Sequence, residues 1–302
     1  MAQIKRLGLI APSSKLSPEL AAKAVDVLQK EFGLTLTLAP SVLTNSLPQD
    51  RAQEIKTMAE DPSLEGLLCC RGGEGAADLI PFLEKDRSYW ETIPKKPVMG
   101  ISDNTALLLF LQSCGWSVSY GQAAVHFSRP ELSDKTHESF RDFLSQSFSS
   151  MKLFPCNAFA EKVEVLSAQV TGGNLTLLQL SLRETWEWES KGKILLIEDW
   201  HERAYALNRT LKHLERIGKF EGVEAVILGD FLAEAAPEEI PLIEGVLAGF
   251  SERSHFPVFK TPFIGHGSEI IPVPFGLAKI SCLRDPLFSM IAHSFEPVEV
   301  KS

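Results

Sequence analysis

The stretch that decides the fold is Pro97-Val-Met-Gly-Ile-Ser-Asp-Asn-Thr-Ala-Leu-Leu-Leu-Phe110. Apolar or small residues lead up to Gly100, a polar turn occupies 102–104, and an apolar series with helical spacing follows. A strand, a tight turn and a helix in this order form the repeating unit of a parallel α/β sheet. The stretch therefore predicts an α/β fold in which Ser102 stands at the carboxyl end of a strand.

The same alternation extends in both directions from this stretch. Strands are predicted over Ile4 to Ile10, Leu34 to Ala39, Gly66 to Cys70, Val98 to Ile101 and Ser117 to Tyr120, and helices over 17–33, Asp50 to Glu60, Gly75 to Leu83 and Thr105 to Cys114. Ser17 and Pro18 are typical of a helix start, and Gly33 of a helix end. The pattern predicts a mostly parallel sheet, which binds ligands at the carboxyl ends of its strands.

The second half of the chain has fewer helices and more turns. Strands are predicted over Val163 to Val170, Lys193 to Ile197, Val223 to Leu228 and Leu277 to Cys282, with a turn at Gly172-Gly-Asn174 and helices over Arg203 to Ile217 and Glu238 to Phe250. Residues 146–162 show no strong period and are interpreted as a linker. We therefore predict an N-terminal α/β domain over 1–145 and a smaller, β-richer C-terminal domain over 163–302.

Composition and charge limit the partners that the protein can take. The 302 residues carry a formal net charge of -9 and no basic run, which argues against nucleic acid and anionic membranes as partners. A small neutral or zwitterionic substrate fits better. No long apolar stretch of the kind found in a signal peptide or a membrane helix occurs, so we expect a cytoplasmic protein.

Five cysteines, at 69, 70, 114, 156 and 282, are an odd number in apolar or small-residue surroundings. This favours buried free thiols. Neither their spacing nor any other cluster suggests a metal site, so no metal and no cofactor are expected.

Two strand-to-helix junctions carry the first candidate site residues. Ser102 has the position of a nucleophile in a strand-to-helix elbow, although a second glycine is missing, and the alternative is that residues 102–104 only cap the helix. The loop Cys70-Arg-Gly-Gly-Glu-Gly75 lets the backbone approach a ligand, and its amides suit a phosphate or an oxyanion. The alternative for this loop is a tight turn alone.

A serine nucleophile needs a base and an acid that orients the base. His266 lies between two glycines in a loop, whereas the other histidines (126, 137, 201, 213, 255 and 293) occupy helical, charged or terminal contexts. Glu198 and Asp199 end an apolar strand, where one of them is a candidate acid or both are helix caps.

In these motifs the chain resembles the serine L,D-carboxypeptidases, a family that includes muramoyltetrapeptide carboxypeptidases and microcin C immunity peptidases. The motifs that carry the resemblance are, in chain order, Gly8-Leu-Ile-Ala-Pro-Ser13, Arg71-Gly-Gly, Gly100-Ile-Ser-Asp103, Gly172-Gly-Asn-Leu175, Leu196 to Asp199 followed by a helix with Arg203, Tyr205 and Arg209, and Phe263-Ile-Gly-His-Gly267 leading to Pro272 and Gly276. The resemblance covers nearly the whole chain.

The resemblance implies that Ser102 is the nucleophile, Glu198 the acid and His266 the base. The backbone amides of Gly73 and Asp103 would form the oxyanion hole. The other residues singled out as substrate-binding are Arg71, Gly72, Glu74 and Asn174. The resemblance also implies a flavodoxin-like N-terminal domain, an active site in the cleft between the domains, and a homodimer.

The expected reaction is hydrolysis of an L,D-amide bond, most simply release of the terminal D-alanine from a murein tetrapeptide during recycling. The alternative within the class is cleavage of a peptide-nucleotide antibiotic, for which Trp186 and Trp188 are candidate stacking residues. The family usually has an aromatic residue directly after Arg-Gly-Gly, whereas this chain has Glu74. This difference is expected to affect which substrate the protein accepts.

An alternative of another class is a nucleotide-phosphate binding protein or small-molecule kinase. In that interpretation the Gly72 to Gly75 loop holds phosphates and Asp103 or Asp199 holds magnesium. It leaves Ser102 and His266 without a role.

Overall fold

The computed structural model describes residues 3–129, 132–283 and 286–290. The described residues divide into two compact units. The first unit contains the residues up to Ser147 together with Pro272–Pro274, and the second contains residues 148–271 and those from Phe275 onward.

The strands of the described residues are β1 (Arg6–Ile10), β2 (Thr35–Leu38), β3 (Gly66–Cys69), β4 (Val98–Gly100), β5 (Val118–Tyr120), β6 (Met151–Lys152), β7 (Phe154–Pro155), β8 (Val165–Asn174), β9 (Lys193–Glu198), β10 (Ala225–Leu228), β11 (Val258–Lys260), β12 (Val273–Pro274), β13 (Leu277–Ser281) and β14 (Leu287–Met290). The helices are α1 (Pro18–Phe32), α2 (Pro48–Glu60), α3 (Ile80–Glu84), α4 (Arg87–Thr92), α5 (Thr105–Ser113), α6 (Asp134–Ser145), α7 (Ala158–Glu161), α8 (Leu175–Leu180), α9 (Ala204–Arg216) and α10 (Ile240–Arg253). Short 3-10 helices cover Pro40–Val42, Ala77–Leu79, Ser102–Asn104 and Ala124–Ser128.

The first unit is built on a sheet in the order β2-β1-β3-β4-β5, with all five strands parallel. The late strand β12 adds antiparallel to the outer side of β5. Strands β3, β4 and β5 are buried along their whole length, and α5 is buried from Thr105 to Leu111. This strand order is that of a flavodoxin-like sheet, and the predicted fold is confirmed.

Local signals explain where α1 begins and ends. The Ser17 hydroxyl accepts a hydrogen bond from the Leu20 amide, and Pro18 occupies the first turn, where its missing amide is not needed. Gly33 ends the helix in the left-handed conformation, with φ 65°. Both predicted ends of this helix are therefore confirmed.

The second unit contains an eight-stranded sheet in the order β6-β14-β13-β8-β9-β10-β11-β7. Its centre, from β8 to β11, is parallel, and the strands on both sides are antiparallel. Strand β9 is buried from Ile194 to Glu198. The β-rich second domain expected from the sequence is confirmed.

The predicted turn at Gly172-Gly-Asn174 is wrong, because β8 continues through these residues to Asn174. Gly172 has φ 134°, and a Cβ there would lie 1.9 Å from the Leu196 carbonyl oxygen. The glycine thus permits a close approach of β8 to β9 rather than a reversal of the chain.

The boundaries of the predicted linker also differ from the structure. Residues 146–162 contain β6, β7 and α7, and the two strands pair with β14 and β11 of the second sheet. Two-residue strands are too short to produce a readable period. In addition, Pro272–Pro274 belong to the first unit although they lie late in the chain.

Three helical segments of the first unit differ from the prediction. The predicted helix over Gly75 to Leu83 is a 3-10 turn followed by α3, because Gly75 has φ 99° and Pro81 lies in the first turn of α3. Helices α4 and α6 were not predicted. Helix α4 buries only Trp90, whereas α6 buries five residues, among them Phe140 and Phe143.

All five cysteines are free thiols. Cys69, Cys70 and Cys114 are buried as predicted, whereas Cys156 and Cys282 are partly exposed. Among the described residues, no helix combines the length and apolar character needed to span a membrane.

Candidate active site

Ser102 lies in a strained turn between β4 and α5. Its φ is 62°, a left-handed conformation that few residues other than glycine adopt. The Ser102 amide donates a hydrogen bond of 2.9 Å to the Tyr120 hydroxyl, and the Ser102 carbonyl accepts one of 2.7 Å from Thr105 Oγ1. Neither the 3-10 helix at 102–104 nor α5 has a side-chain cap, so the helix-cap interpretation of this turn is wrong.

The glycine loop after β3 packs directly against this turn. A Cβ on Gly72 would lie 2.8 Å from the Ser102 Cβ, so only glycine fits beside the serine. Gly73 has φ 120°, and a Cβ there would lie 2.2 Å from Ser14 Oγ. The backbone of the loop therefore lies close to Ser102 and Ser14, and its glycines are needed for this contact as well as for the turn.

Two side chains of the turn bind the loop in place. Asn104 Nδ2 donates to the Arg71 carbonyl at 3.0 Å, and Asp103 Oδ2 accepts from the Ala76 amide at 2.8 Å. Burial raises the pKa of Asp103, against the opposing effects of the Ser13 side chain, the Ala76 amide and the charge of Arg51. Asp103 thus has a structural role through its carboxylate, which leaves its backbone amide for another purpose.

The backbone amides of Gly73 and Asp103 have no hydrogen-bond acceptor in the part of the chain that the structure describes. Two amides without an acceptor near a serine are the arrangement that stabilises an oxyanion. The roles of Gly73 and Asp103 stay predictions.

In the second unit, β9 ends at Glu198, which hydrogen-bonds to His266. The distance from Glu198 Oε2 to His266 Nδ1 is 2.7 Å, and Glu198 is fully buried. Gly265, with φ 114°, lies against the same carboxylate, where a Cβ would be 2.6 Å from Oε2. The pair leaves His266 Nε2 without a partner among the described residues, as a proton acceptor requires.

A polar network supports this pair. Asn174 Nδ2 donates to Glu198 Oε1 at 3.3 Å and to Asp199 Oδ1 at 2.7 Å. Asp199 Oδ2 accepts from both the amide and the hydroxyl of Thr176. Burial and the charge of Glu198 raise the pKa of Asp199 to about 6, against these hydrogen bonds. Asn174 therefore contacts the proposed acid directly, and Asp199 orients Asn174.

The charges around His266 determine its basicity. Burial lowers the pKa of His266, but Glu198, Asp199 and Asp230 act in the opposite direction and together raise it above its ordinary value. Asp230 follows β10 and lies against Gly267, where a Cβ would be 2.8 Å from Asp230 Oδ2. Carboxylates that stabilise an imidazolium in this way are typical of a histidine base.

Sequence reasoning missed Thr176, Asp230 and Trp200. The ring of Trp200 stacks on His266, with centroids 5.5 Å apart and an interplanar angle of 19°, and 42% of Trp200 is exposed. The position of Trp200 directly after Glu198 and Asp199 was the available signal. Nothing in the sequence pointed to Thr176 or Asp230, because both act through contacts with residues that are distant in the chain, Asp199 and Gly267.

The remaining candidates occupy other environments. His126 is buried beside the backbone of Ala123, and His137 pairs with Glu31. His293 lies outside the described residues. Trp186 and Trp188 are both buried, so they offer no exposed surface for stacking on a nucleobase.

The kinase interpretation needs a free carboxylate for magnesium. The carboxylate of Asp103 is bound to the Ala76 amide, and that of Asp199 is bound to Asn174 and Thr176. Among the described residues there is no group of three or more His, Cys, Asp or Glu side chains that would hold a metal ion.

Within the first unit, the structure therefore brings together Ser102, Gly72, Gly73 and Asp103. Within the second unit, it brings together Asn174, Glu198 and His266. Arg71 is partly exposed and Glu74 is exposed, both in the loop beside Ser102.

Comparison with known proteins gives relatives that cover most of the chain. A carboxypeptidase-like protein of Rickettsia conorii is 34% identical over 200 residues, which cover 65% of this chain and 61% of that protein. The chain thus aligns with less than two thirds of that relative's length. The murein tetrapeptide carboxypeptidase of Pseudomonas aeruginosa is 24% identical, covering 90% of this chain and 91% of that protein.

Two further proteins are similar over most of their length. The microcin C7 self-immunity protein of Escherichia coli is 26% identical, covering 88% of this chain and 86% of that protein. The crystal structure of muramoyltetrapeptide carboxypeptidase from Oxalobacter formigenes has the same fold, with a TM-score of 0.80, 23% identity, and coverage of 93% of this chain and 97% of that one.

The family models agree with these relatives. The model of the LD-carboxypeptidase N-terminal domain matches residues 7–121, and the model of the LD-carboxypeptidase C-terminal domain matches residues 167–279. Because both domains match in chain order and over most of the sequence, the chain belongs to the LD-carboxypeptidase family.

Proposed function

We propose that the protein is a serine carboxypeptidase that hydrolyses an L,D-amide bond and releases the terminal D-alanine of murein tetrapeptides in peptidoglycan recycling. The observation that carries the proposal is Ser102, held at φ 62° at a strand-to-helix turn with the glycine loop packed against it. A strained serine in such a turn is typical of a nucleophile.

The proposed mechanism assigns a role to each group. His266 accepts the proton of Ser102 through Nε2 as the serine oxygen attacks the scissile carbonyl, and it later donates that proton to the leaving amine. Glu198, bound to Nδ1, holds the imidazole in one tautomer and stabilises its cation.

The backbone amides of Gly73 and Asp103 are proposed to bind the oxyanion of the tetrahedral intermediate. Loss of one such donor typically lowers kcat by about 10² to 10³. After release of D-alanine, a water molecule attacks the acyl-enzyme with His266 again as the base, which restores Ser102.

The proposed triad needs neither a metal nor a cofactor. We expect full activity in the presence of a chelator, and strong inhibition by a chelator would count against this mechanism.

Two substrates are compatible with the family. The murein tetrapeptide is preferred here, because Trp186 and Trp188, the residues considered for stacking on a nucleotide, are buried. The alternative remains a peptide-nucleotide antibiotic, and the E. coli relative is named as a microcin C7 self-immunity protein. Inhibition of tetrapeptide cleavage by adenosine nucleotides would favour the alternative.

The proposal includes a cytoplasmic location, which is the expectation from the sequence, and a homodimer, which the family resemblance implies. Light scattering at several protein concentrations tests the dimer, and a mass equal to one chain at all of them would contradict it.

The first experiment is mass spectrometry of L-Ala-D-Glu-meso-diaminopimelate-D-Ala after incubation with the protein. The wild type is expected to remove one alanine, and Ser102→Ala to remove none. Ser63→Ala, which changes an exposed serine of the same unit, is the control that should retain activity. Equal turnover by Ser102→Ala and the wild type would remove Ser102 from its proposed role.

A further inference from the structure

A polar cavity of about 370 Å³ lies within the first unit. Its walls come from the segments that follow β1, β2 and β3, together with α2. Its lining includes Ser14, Lys15, Ser41, Arg51, Glu74 and Asp78. In a sheet of this order, the crevice between the loops after β1 and β3 is the usual place for a ligand.

The cavity adjoins the turn that carries Ser102. Ser13 Oγ donates to Asn104 Oδ1 at 3.1 Å, and Asn104 lies two residues after the serine. Ser14 Oγ accepts from the Glu74 amide at 3.4 Å and lies against Gly73. The cavity and the candidate oxyanion loop therefore share a wall, because Glu74 and Gly75 belong to both.

The polar groups of the cavity have unused binding capacity. Among the described residues, the side chains of Lys15, Glu74 and Asp78 form no ion pair and no hydrogen bond, and all three are exposed. Ser41 also lines the cavity, and its hydroxyl has no hydrogen-bond partner in the described part of the chain, so this hydroxyl is available to a polar ligand.

Arg51 has a different role in the same cavity. Its guanidinium donates to the carbonyls of Pro12 and Ser13 at 2.7 Å each, so it fixes the segment after β1. The formal charges of the lining residues are two positive, on Lys15 and Arg51, and two negative, on Glu74 and Asp78. A cavity that presents both signs and several hydroxyls suits a group that is itself zwitterionic.

We propose that this cavity binds the side chain of the residue before the scissile bond, and that this side chain ends in both an ammonium and a carboxylate. Glu74 and Asp78 bind the ammonium, and Lys15 with the Ser14 and Ser41 hydroxyls binds the carboxylate. The inference rests on the proposed function, since meso-diaminopimelate in a murein tetrapeptide carries such an end in the position before D-alanine.

This assignment gives Glu74 a role in substrate binding. A carboxylate in the loop beside Ser102 would repel the free carboxylate of the departing D-residue, but it attracts an ammonium on the other side of the scissile bond. Glu74 is then a specificity residue that contacts substrate, and the loop backbone remains responsible for the chemistry.

The experiment compares three tetrapeptides that differ only in the third residue. Meso-diaminopimelate offers both charges, L-lysine offers the ammonium alone, and L-norleucine offers neither. The proteins are the wild type, Glu74→Gln, Lys15→Gln and, as control, Asp50→Asn, which neutralises an exposed carboxylate of α2 that does not line the cavity. Thermal unfolding checks that each variant is folded.

The expected pattern is specific to each pair of variant and peptide. Wild-type kcat/KM decreases in the order diaminopimelate, lysine, norleucine. Glu74→Gln lowers kcat/KM about tenfold on the diaminopimelate and lysine peptides, mainly through KM, since one charge-assisted contact is lost. It leaves the norleucine peptide unchanged. Lys15→Gln affects the diaminopimelate peptide alone, and Asp50→Asn affects none.

Other outcomes overturn the inference without touching the proposed function. An equal loss on all three peptides for Glu74→Gln would mean that Glu74 supports the loop rather than the substrate. Equal wild-type rates on all three peptides would mean that the cavity does not distinguish the side chains of the third residue. Failure of the wild type to cleave any of the three would reject the proposed function, and the inference with it.

Discussion

At the scale of single residues, the decisive feature is the left-handed backbone of Ser102. For a residue with a Cβ this conformation costs about 1 to 2 kcal/mol relative to the right-handed one. Tight surroundings hold the residue there, with Tyr120 on the amide and Gly72 against the side chain. Stability is therefore reduced at the position where chemistry is proposed, as is common at functional sites.

Replacement of Ser102 by glycine and by alanine separates strain from chemistry. Both variants lose the hydroxyl, so both should be inactive. Ser102→Gly also relieves the backbone, and we expect it to be more stable than Ser102→Ala by about 1 kcal/mol, after the larger entropy loss of glycine is subtracted. Denaturant unfolding of the two variants measures this difference. Equal stabilities would show that the turn carries no strain.

Gly72 is the residue whose replacement should move Ser102. The Cβ of Gly72→Ala would lie 2.8 Å from the Ser102 Cβ, so one of the two segments must shift. Displacement of a reacting group by about 1 Å costs roughly 100-fold in rate, and we expect kcat to fall by that order. Steady-state kinetics measure it. An unchanged kcat would show that the loop yields without disturbing the nucleophile.

At the scale of elements, glycine has opposite effects in β8 and in α10. A Cβ on Gly172 of β8 would overlap the Leu196 carbonyl of β9, the strand that ends in the proposed acid, whereas a Cβ on Gly245 of α10 would meet no atom within 4 Å. Replacement of glycine by alanine therefore tests the contact between strands in β8 and the helix propensity in α10.

Gly172→Ala should destabilise the protein by more than about 3 kcal/mol, since both the φ of 134° and the contact with β9 are unfavourable. Gly245→Ala should stabilise it by about 1 kcal/mol, because alanine is the better helix former in an exposed position. Thermal or denaturant unfolding measures both. A gain in stability for Gly172→Ala would contradict the close approach of β8 to β9.

Elements with strong local signals were predictable. The cap at Ser17, the glycine at the end of α1, and the buried runs of β3, β4 and β9 are local properties of the chain. The strands β6 and β7 were not predictable, because two residues acquire strand structure only by pairing with a partner. The continuation of β8 through two glycines was also not predictable, since the reason lies in the neighbouring strand.

At the scale of the whole molecule, the carboxylates around His266 in the second unit should determine how the reaction rate depends on pH. The neutral form of His266 accepts the proton, so kcat/KM is lost as the pH falls through the pKa of His266. The carboxylates of Glu198, Asp199 and Asp230 outweigh burial and raise this pKa above 6.5. We expect the acid limb of kcat/KM to have its midpoint above pH 6.5.

Asp230→Asn tests the origin of this shift. Asparagine still accepts the amides of Leu232 and Ala233 through its oxygen, but one of the three negative charges near His266 is gone. The midpoint of the acid limb should therefore move to lower pH. Asp50→Asn, in the first unit, serves as the control. A limb that does not move would assign the shift to the other carboxylates.

The sequence alone determined the α/β class, the parallel alternation of the first half, the β-rich second half and the short set of polar residues at strand ends. Each of these follows from local periodicity or from turn chemistry, which are readable without a partner. It also singled out Ser102 and Glu198 at strand ends and His266 in a loop, through motifs that resemble one family.

Only the tertiary structure decided the contacts between residues that are distant in the chain. Those contacts give Ser102 its left-handed turn, attach Asn174 to Glu198, set Asp230 near His266 and join the segments after β1, β2 and β3 into one cavity. The physical reason is that hydrogen bonding, burial and steric exclusion act between neighbours in space, and periodicity along the chain does not record which neighbours those are.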